Sequence, residues 1–363
     1  MKLRKSLVST LIGALCATAF AAAPSLALAH DDHEHGPGRA TLLVTSTNNA
    51  TANNIVVFRL DTGSTPSLSY VTSLATGGAG GAGGNAGLVQ FHDGVGAVAN
   101  YGSNSVTQLV RQGDFVHIGR SIGLAAGCTK PVSVALKHDH LYVAGANCAE
   151  SHNWPSGRLD GAAVALPDTT SAQLVAGHSW AAVTMKSGSV MQLPLNRQGG
   201  LAGSGTAVTL PAGANDTPLG AAFWGDVLGF NPAHSPNSLA LINPGRMVYP
   251  IAGPTPAFPN GNAPCWLVKG PGNLWYSGNT PAKAISIFFS DGVGGSFYKS
   301  VPLPGAPTDI TVSPDGKWLA VIYTAVDGAH IAAYSIDAYG DLTPAATTAA
   351  IGIPSFNGVA FSQ

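Results

Sequence analysis

Charge is scarce in this chain, so each ionisable side chain is a candidate for chemistry: 363 residues carry 17 Lys and Arg, 18 Asp and Glu, and 11 His. Lys130, Lys186 and Asp216 are the first set. A Lys with a lowered pKa, or a Lys and an Asp that fix a carboxylate between them, would suit lactone or keto-acid chemistry. Glu150 and His152, followed by Trp154, bring a carboxylate, an imidazole and an aromatic ring into one stretch, the material of an acid/base wall. Glu occurs only at Glu34 and Glu150. A mechanism built on paired glutamates therefore has no material in the folded part. His30-Asp31-Asp32-His33-Glu34-His35 packs imidazoles and carboxylates together, and His30, His33 and His35 are suited to hold Cu, Ni or Zn. No cofactor is otherwise required.

Bringing such scattered residues together is the task of the secondary structure, and 46 Gly and 25 Pro leave little room for long helices. The first 29 residues differ in kind: Lys2, Arg4 and Lys5 precede an apolar stretch from Leu7 to Ala23, and Ala27-Leu28-Ala29 offers small residues to a signal peptidase. Residues 1–29 thus read as a signal peptide, 30–39 as a disordered His/Asp-rich tail, and 40–363 as the folded domain. No other run is long enough to span a bilayer, so the expected product is a periplasmic or secreted monomer. Without the signal, 14 basic residues face 18 acidic ones. A nucleic-acid partner, which needs clustered Lys and Arg, is excluded on that basis; a small molecule or a cell-envelope component is the expected partner.

Within the folded domain one layout recurs. Ile310-Thr311-Val312, the turn Ser313-Pro314-Asp315-Gly316 and Leu319-Ala320-Val321-Ile322 form a β-hairpin by period and breaker residues. The layout returns at Val134-Ala135-Leu136 with the turn His138-Asp139 and Leu141-Tyr142-Val143, and at Val89-Gln90-Phe91 with Asp93-Gly94. His138-Asp139-His140 is accordingly a polar turn rather than a metal site. One anchor per hairpin gives Val89, Val134, Leu174, Ala221, Trp266, Ile310 and Val359, with gaps of 40 to 49 residues. That period, with several strands per unit, marks an all-β propeller of seven four-stranded blades. Asn104–Leu109 and its near-copy Gly188–Leu193 are third strands. Val359-Ala360-Phe361 has no hairpin partner after it and Leu42-Leu43-Val44 has no inner strand before it, so the C-terminal strand is expected to complete the first blade. The third blade is the shortest unit. It lacks a visible outer strand, and Glu150, His152 and Trp154 fall in what reads as a long loop after its second strand.

The units Pro131-x-x-Val134-Ala135-Leu136 with Leu141-Tyr142-Val143-Ala144, and Pro307-x-x-Ile310-Thr311-Val312-Ser313-Pro314-Asp315-Gly316, resemble the repeats of lactonase-type seven-bladed propellers. These are related to YVTN-repeat surface proteins and include phosphogluconolactonases and carboxymuconate cyclases. The resemblance spans about residues 40–363. It implies a small-molecule site at one end of the central channel, where innermost strands begin and second strands end, and ring opening or closing with His, Arg and Glu. The sequence departs from that set, having no Arg at the start of an innermost strand. A non-catalytic binding or cell-envelope propeller is therefore carried alongside the lactonase or cyclase reading.

By this layout the mouth is lined by Asn85, Thr129, Lys130, Asp216, Thr217, Asn262, Cys265, Asp309 and Asn357 from strand starts. Second strands add Asn48, Asn100, Tyr101, Asn147, Lys186, Asn231, Asn279 and Tyr323. Amides and hydroxyls of Asn85, Asn100, Tyr101, Asn147, Asn231, Asn279, Tyr323 and Asn357 would bind a polar ligand, with Lys130, Lys186, Asp216, Glu150 and His152 as the reacting groups. With the third blade's turn centred at His138 and Asp139, Cys128 lies within one position of opposite Cys148, close enough to form a disulfide. Cys265 is left as a free thiol.

Overall fold

The computed structural model describes residues 40–154, 156–235, 238–243, 249–252, 263–352 and 356–362. Seven antiparallel sheets stand around a central axis, and their innermost strands neighbour one another in an unbroken ring. The first blade is made of Asn357–Ser362, Thr41–Ser46, Asn54–Asp61 and Ser67–Ala75, from the axis outward. Val359 pairs with Thr45 and Phe361 with Leu43, so the C-terminal strand closes the ring as the sequence predicts.

The hairpins also lie where the turn residues put them. Val89–His92 pairs with Val95–Asn100 in the second blade, Ser133–Lys137 with His140–Ala144 in the third, and Ala306–Val312 with Trp318–Ala325 in the seventh. His138 and Gly316 take positive φ at the turns of the last two hairpins, 49° and 71°. Second strands read as continuous apolar runs because the blades stack face to face and both sides are covered. Leu319, Ala320, Val321 and Ile322 are all fully buried, divided between the core shared with the sixth blade and the core shared with the first.

Two features of the third blade correct the sequence expectation. Residues Cys148–Asn153 are not a loop; they form the blade's third strand, paired with His140–Ala144. The outer position is filled as well, by the short strands Arg158–Leu159 and Val164–Ala165, which pair with opposite ends of that third strand. Glu150 and His152 are therefore interior side chains of a strand, 0% and 3% exposed. Trp154, directly after the strand, is buried too.

Cys128 and Cys148 are joined by a disulfide with Cα atoms 5.5 Å apart, and Cys265 is free. The reach differs from simple hairpin opposition: Gly145 and Ala146 turn the chain, with Ala146 N–H donating to Thr129 O at 2.8 Å, and Cys148 opens the third strand. Protein purified after export and denatured without reductant should show one reactive thiol, that of Cys265, on titration with a thiol reagent. Three would mean that the pair is reduced.

Candidate functional site

A Gly-rich segment, Gly77–Leu88, leaves the first blade's outer strand and enters the second blade's innermost one. It does not take the short way. Asn48 holds its first half, its Oδ1 accepting from Gly81 N and Ala82 N at 2.8 and 3.0 Å while its Nδ2 donates to Ala82 O at 2.6 Å. Farther on, Asn85 Nδ2 donates to Ser171 O and Ala172 O of the fourth blade at 3.1 and 3.2 Å. Asn357 Nδ2 of the first blade donates to Asn85 O at 3.1 Å, and Val134 N of the third blade donates to Gly87 O at 2.9 Å. Ala86 packs into the core of the sixth and seventh blades. The segment thus crosses the channel mouth and is anchored on blades all around it.

Some of its glycines, Gly80 and Gly87 among them, are required by close approach. A Cβ on Gly80 would lie 2.5 Å from the Asn48 carbonyl carbon, and one on Gly87, where φ is +72°, would lie 3.0 Å from Ser133 Oγ. Beneath it, Asp309 accepts hydrogen bonds from the backbone N–H groups of Gly87, Ile310 and Val359. Its carboxyl is pushed up to about 7, because burial against the charged form outweighs those three donors. The register shifts between Pro307 and Asp309, leaving Thr308 as an extra residue, and the fourth, fifth and sixth blades carry a like irregularity near the same strand end. Such bulges re-aim the side chains that follow.

Lys186, at the end of the fourth blade's second strand, reaches the crossing segment. Its Nζ donates to Gly83 O at 3.2 Å and Asn85 Oδ1 at 3.4 Å. Burial lowers its pKa, and among the described residues no carboxylate lies within ion-pair distance of it. Lys186, Asn85 and Asn357 are accordingly the predicted site residues that the fold brings together. A cavity of about 570 Å³ opens along the crossing segment, walled by Gly81–Gly84, Asn48, Asn49, Thr308, Trp266, Phe356 and Asn357; Lys186 is tied to it through Gly83, whose carbonyl it holds. A larger groove of about 690 Å³ lies at the seam of the first and seventh blades, away from Lys186, with Val56, Phe58, Leu68 and Tyr70 in its walls.

The other candidates are dispersed. Lys130 is exposed on the rim, its ammonium 5.7 Å from the centre of the Tyr101 ring. Asp216 is half exposed and lies 3.4 Å from His234 Nδ1, which is also 2.9 Å from Thr217 Oγ1. Glu150 and His152 face each other inside the third blade, Oε1 to Nε2 at 2.8 Å. Asn100 is buried, accepting from Thr76 Oγ1 at 2.8 Å and Asn53 Nδ2 at 3.1 Å and donating to Thr107 Oγ1 at 2.8 Å. Asn231 donates to Ser238 O at 2.9 Å and accepts from Ser277 Oγ at 3.0 Å; Asn279 accepts from Ala263 N at 3.0 Å. Asn147 caps the loop beside the disulfide, accepting from Thr129 N at 3.0 Å and donating to Gly127 O at 2.8 Å. Tyr323 is buried and stacked on His330, with ring centres 5.2 Å apart. His30, His33, His35 and Asn262 lie outside the described residues, as does the signal segment.

What sequence reasoning missed is the crossing segment itself. The signal was present: Gly-Gly-Ala-Gly-Gly-Ala-Gly-Gly-Asn-Ala-Gly, residues 77–87, is too long and too Gly-rich for a minimal connection between blades.

No protein-family model matches the sequence, and no curated protein is similar to it in sequence. Solved structures do match. A Lactobacillus plantarum protein is 14% identical with a TM-score of 0.68, covering 90% of this chain and 100% of its own. A Pseudomonas aeruginosa periplasmic gluconolactonase is 14% identical with a TM-score of 0.66, covering 89% of this chain and 99% of its own. A chain of a mitotic checkpoint complex, 15% identical with a TM-score of 0.56, covers 75% of this chain and 78% of its own. Identities this low establish the shared propeller fold, and that fold carries unrelated functions.

Proposed function

We propose that this propeller works outside the cytoplasm as a binding protein for a small anionic molecule, held at the mouth beside the Gly-rich crossing segment with Lys186 as its charge contact. The observation that carries this reading is the setting of Lys186: a half-buried ammonium, satisfied only by neutral oxygens among the described residues, that holds Gly83 of the segment walling a cavity of about 570 Å³. A carboxylate entering that cavity would gain the Coulomb term that Gly83 O and Asn85 Oδ1 supply only in part. Backbone groups of Gly81–Gly84 and the amide of Asn49 would serve the rest of a polar ligand. The disulfide and the likeness in fold to a periplasmic gluconolactonase support the extracytoplasmic placement.

The dispersal of Lys130, Asp216, Glu150 and His152 favours binding over turnover, since none of these four lines the cavity at the mouth. Lactone ring opening is the second reading, and the gluconolactonase fold is what speaks for it. Both are tested by one screen of small carboxylates and lactones, read by thermal shift and by product formation. For the best binder, Lys186→Met should weaken affinity by about tenfold or more, the size of one charge-assisted hydrogen bond. Lys317→Ala, in the seventh blade's hairpin turn at the other end of its strands, should change nothing. Equal affinity in all three proteins would remove the site from this mouth, and hydrolysis of a lactone by the parent chain would favour the enzyme.

A further inference from the structure

The third blade holds a second cluster, separate from the mouth. In a strand, alternate side chains share a face, so Cys148, Glu150 and His152 of Cys148–Asn153 project to one side; Ser151 takes the other, accepting from Leu201 N of the next blade at 2.9 Å. Cys128 arrives on that first side from the preceding loop and is bonded to Cys148. The two sulfurs and a carboxylate oxygen of Glu150 all lie within 4.8 Å of one another, and all three residues are buried. Glu150 Oε2 accepts from Ala125 N at 2.9 Å in the same loop, and Oε1 lies 2.8 Å from His152 Nε2. His152 Nδ1 is 3.1 Å from Gly157 O. A carbonyl only accepts, so Nδ1 carries a proton and the ring is fixed with Nε2 toward the carboxylate.

A buried carboxylate with one backbone donor and one imidazole is an expensive way to fill a strand interior. Two sulfurs, a carboxylate and an oriented imidazole behind it are a ligand set that Zn²⁺ accepts. We propose that Cys128, Cys148 and Glu150 form a thiol-gated site for a divalent transition metal such as Zn²⁺, closed while the disulfide is intact and opened by its reduction. An external dithiol supplies the two electrons: its two S–H groups become a disulfide, the Cys128–Cys148 bond breaks, and both protons pass to the freed sulfurs. The metal then displaces those two protons and binds two thiolates and the Glu150 carboxylate, with a fourth position for water. His152 remains behind Glu150 as a positioning residue.

Co²⁺ titration of the purified chain tests this, because thiolate ligation gives a charge-transfer absorption that imidazole and carboxylate ligands do not. Metal taken up by the His-rich stretch at residues 30–35 is therefore silent in that band. Reduced with a phosphine, the protein should take up Co²⁺ with the thiolate band, lose it to added Zn²⁺, and show none of it when oxidised. Glu150→Gln should weaken the uptake by more than the roughly 10–100-fold that loss of an outer partner alone costs. A reduced parent with no thiolate band overturns the proposal. So does a band of equal strength and affinity in Glu150→Gln, because two thiols of an opened chain would then suffice without the built site.

Discussion

A chain that stops at residue 355 is expected not to fold into the closed ring, appearing as protease-sensitive, aggregating material without a cooperative melt. The segment lost is the innermost strand of the first blade, and every described residue of Phe356–Ser362 is buried. Phe356, Val359 and Phe361 pack with Leu43, Phe58, Ile322 and Ile331, which belong to the first and seventh blades. At about 1.5–3 kcal/mol for each large apolar side chain, their removal takes away roughly 5–9 kcal/mol. That is comparable to the whole margin of a typical domain, about 5–15 kcal/mol. Arg111 of the second blade adds to the closure, donating to Ser362 O and Ala40 O. Loss of the strand therefore also removes Ser362 O from the acceptors of this buried guanidinium. Gly358→Val is the milder version: φ there is +81° and a Cβ would lie 2.8 Å from Val89 N. It should fold with a clearly lowered Tm. A truncated chain melting within a few degrees of the parent would show that the ring does not depend on this strand.

The same seam explains why the fold was legible and the site only partly so. Hairpins announce themselves through turn residues, and closure through the unmatched ends at Leu42–Val44 and Val359–Phe361, because both follow from local periodicity. Glu150 and His152 were misplaced for a physical reason. A strand containing Glu, Ser, His and Asn carries no apolar alternation, and it survives in the interior because Glu150 meets Ala125 N and His152 while Ser151 meets Leu201 N. Ala125 and Leu201 are remote in sequence, and their contacts are unreadable from it. The same holds for Asn100 and Asn231, whose positions at strand ends suggest ligand contacts, whereas the fold spends them on joining neighbouring blades. Lys186 and Asn85 could be placed at the mouth by blade layout. Their contact depends on the Gly-rich crossing, which follows no repeat.

Asp309 should make that crossing sensitive to pH. Its carboxyl, ordinarily near 3.8, is raised to about 7 by burial, so the native state keeps a proton that the unfolded chain has already released. Where the native state binds more protons, stability falls as pH rises. The contribution is thus fully present below about pH 4 and lost as pH climbs to about 7, by at most about 4 kcal/mol. Carboxylates with lowered pKa, such as Asp168 and Asp341, act with the opposite sign, and their stabilisation fades as pH falls below about 4. His330, whose pKa is raised, loses its share only near the top of the window. Comparison with Asp309→Asn isolates the effect, since the amide does not titrate yet keeps one oxygen toward the backbone donors. Urea unfolding at several pH values should give a midpoint that declines from about pH 4 to pH 7 in the parent and a flatter profile in the variant. Asp309→Ala goes further, leaving the N–H groups of Gly87, Ile310 and Val359 without this acceptor. At about 1–3 kcal/mol for each buried donor left unsatisfied, it should lower Tm strongly and release the segment on which Lys186 rests. Parallel pH profiles in parent and Asp309→Asn would mean that Asp309 is ionised throughout, with its three backbone donors outweighing burial.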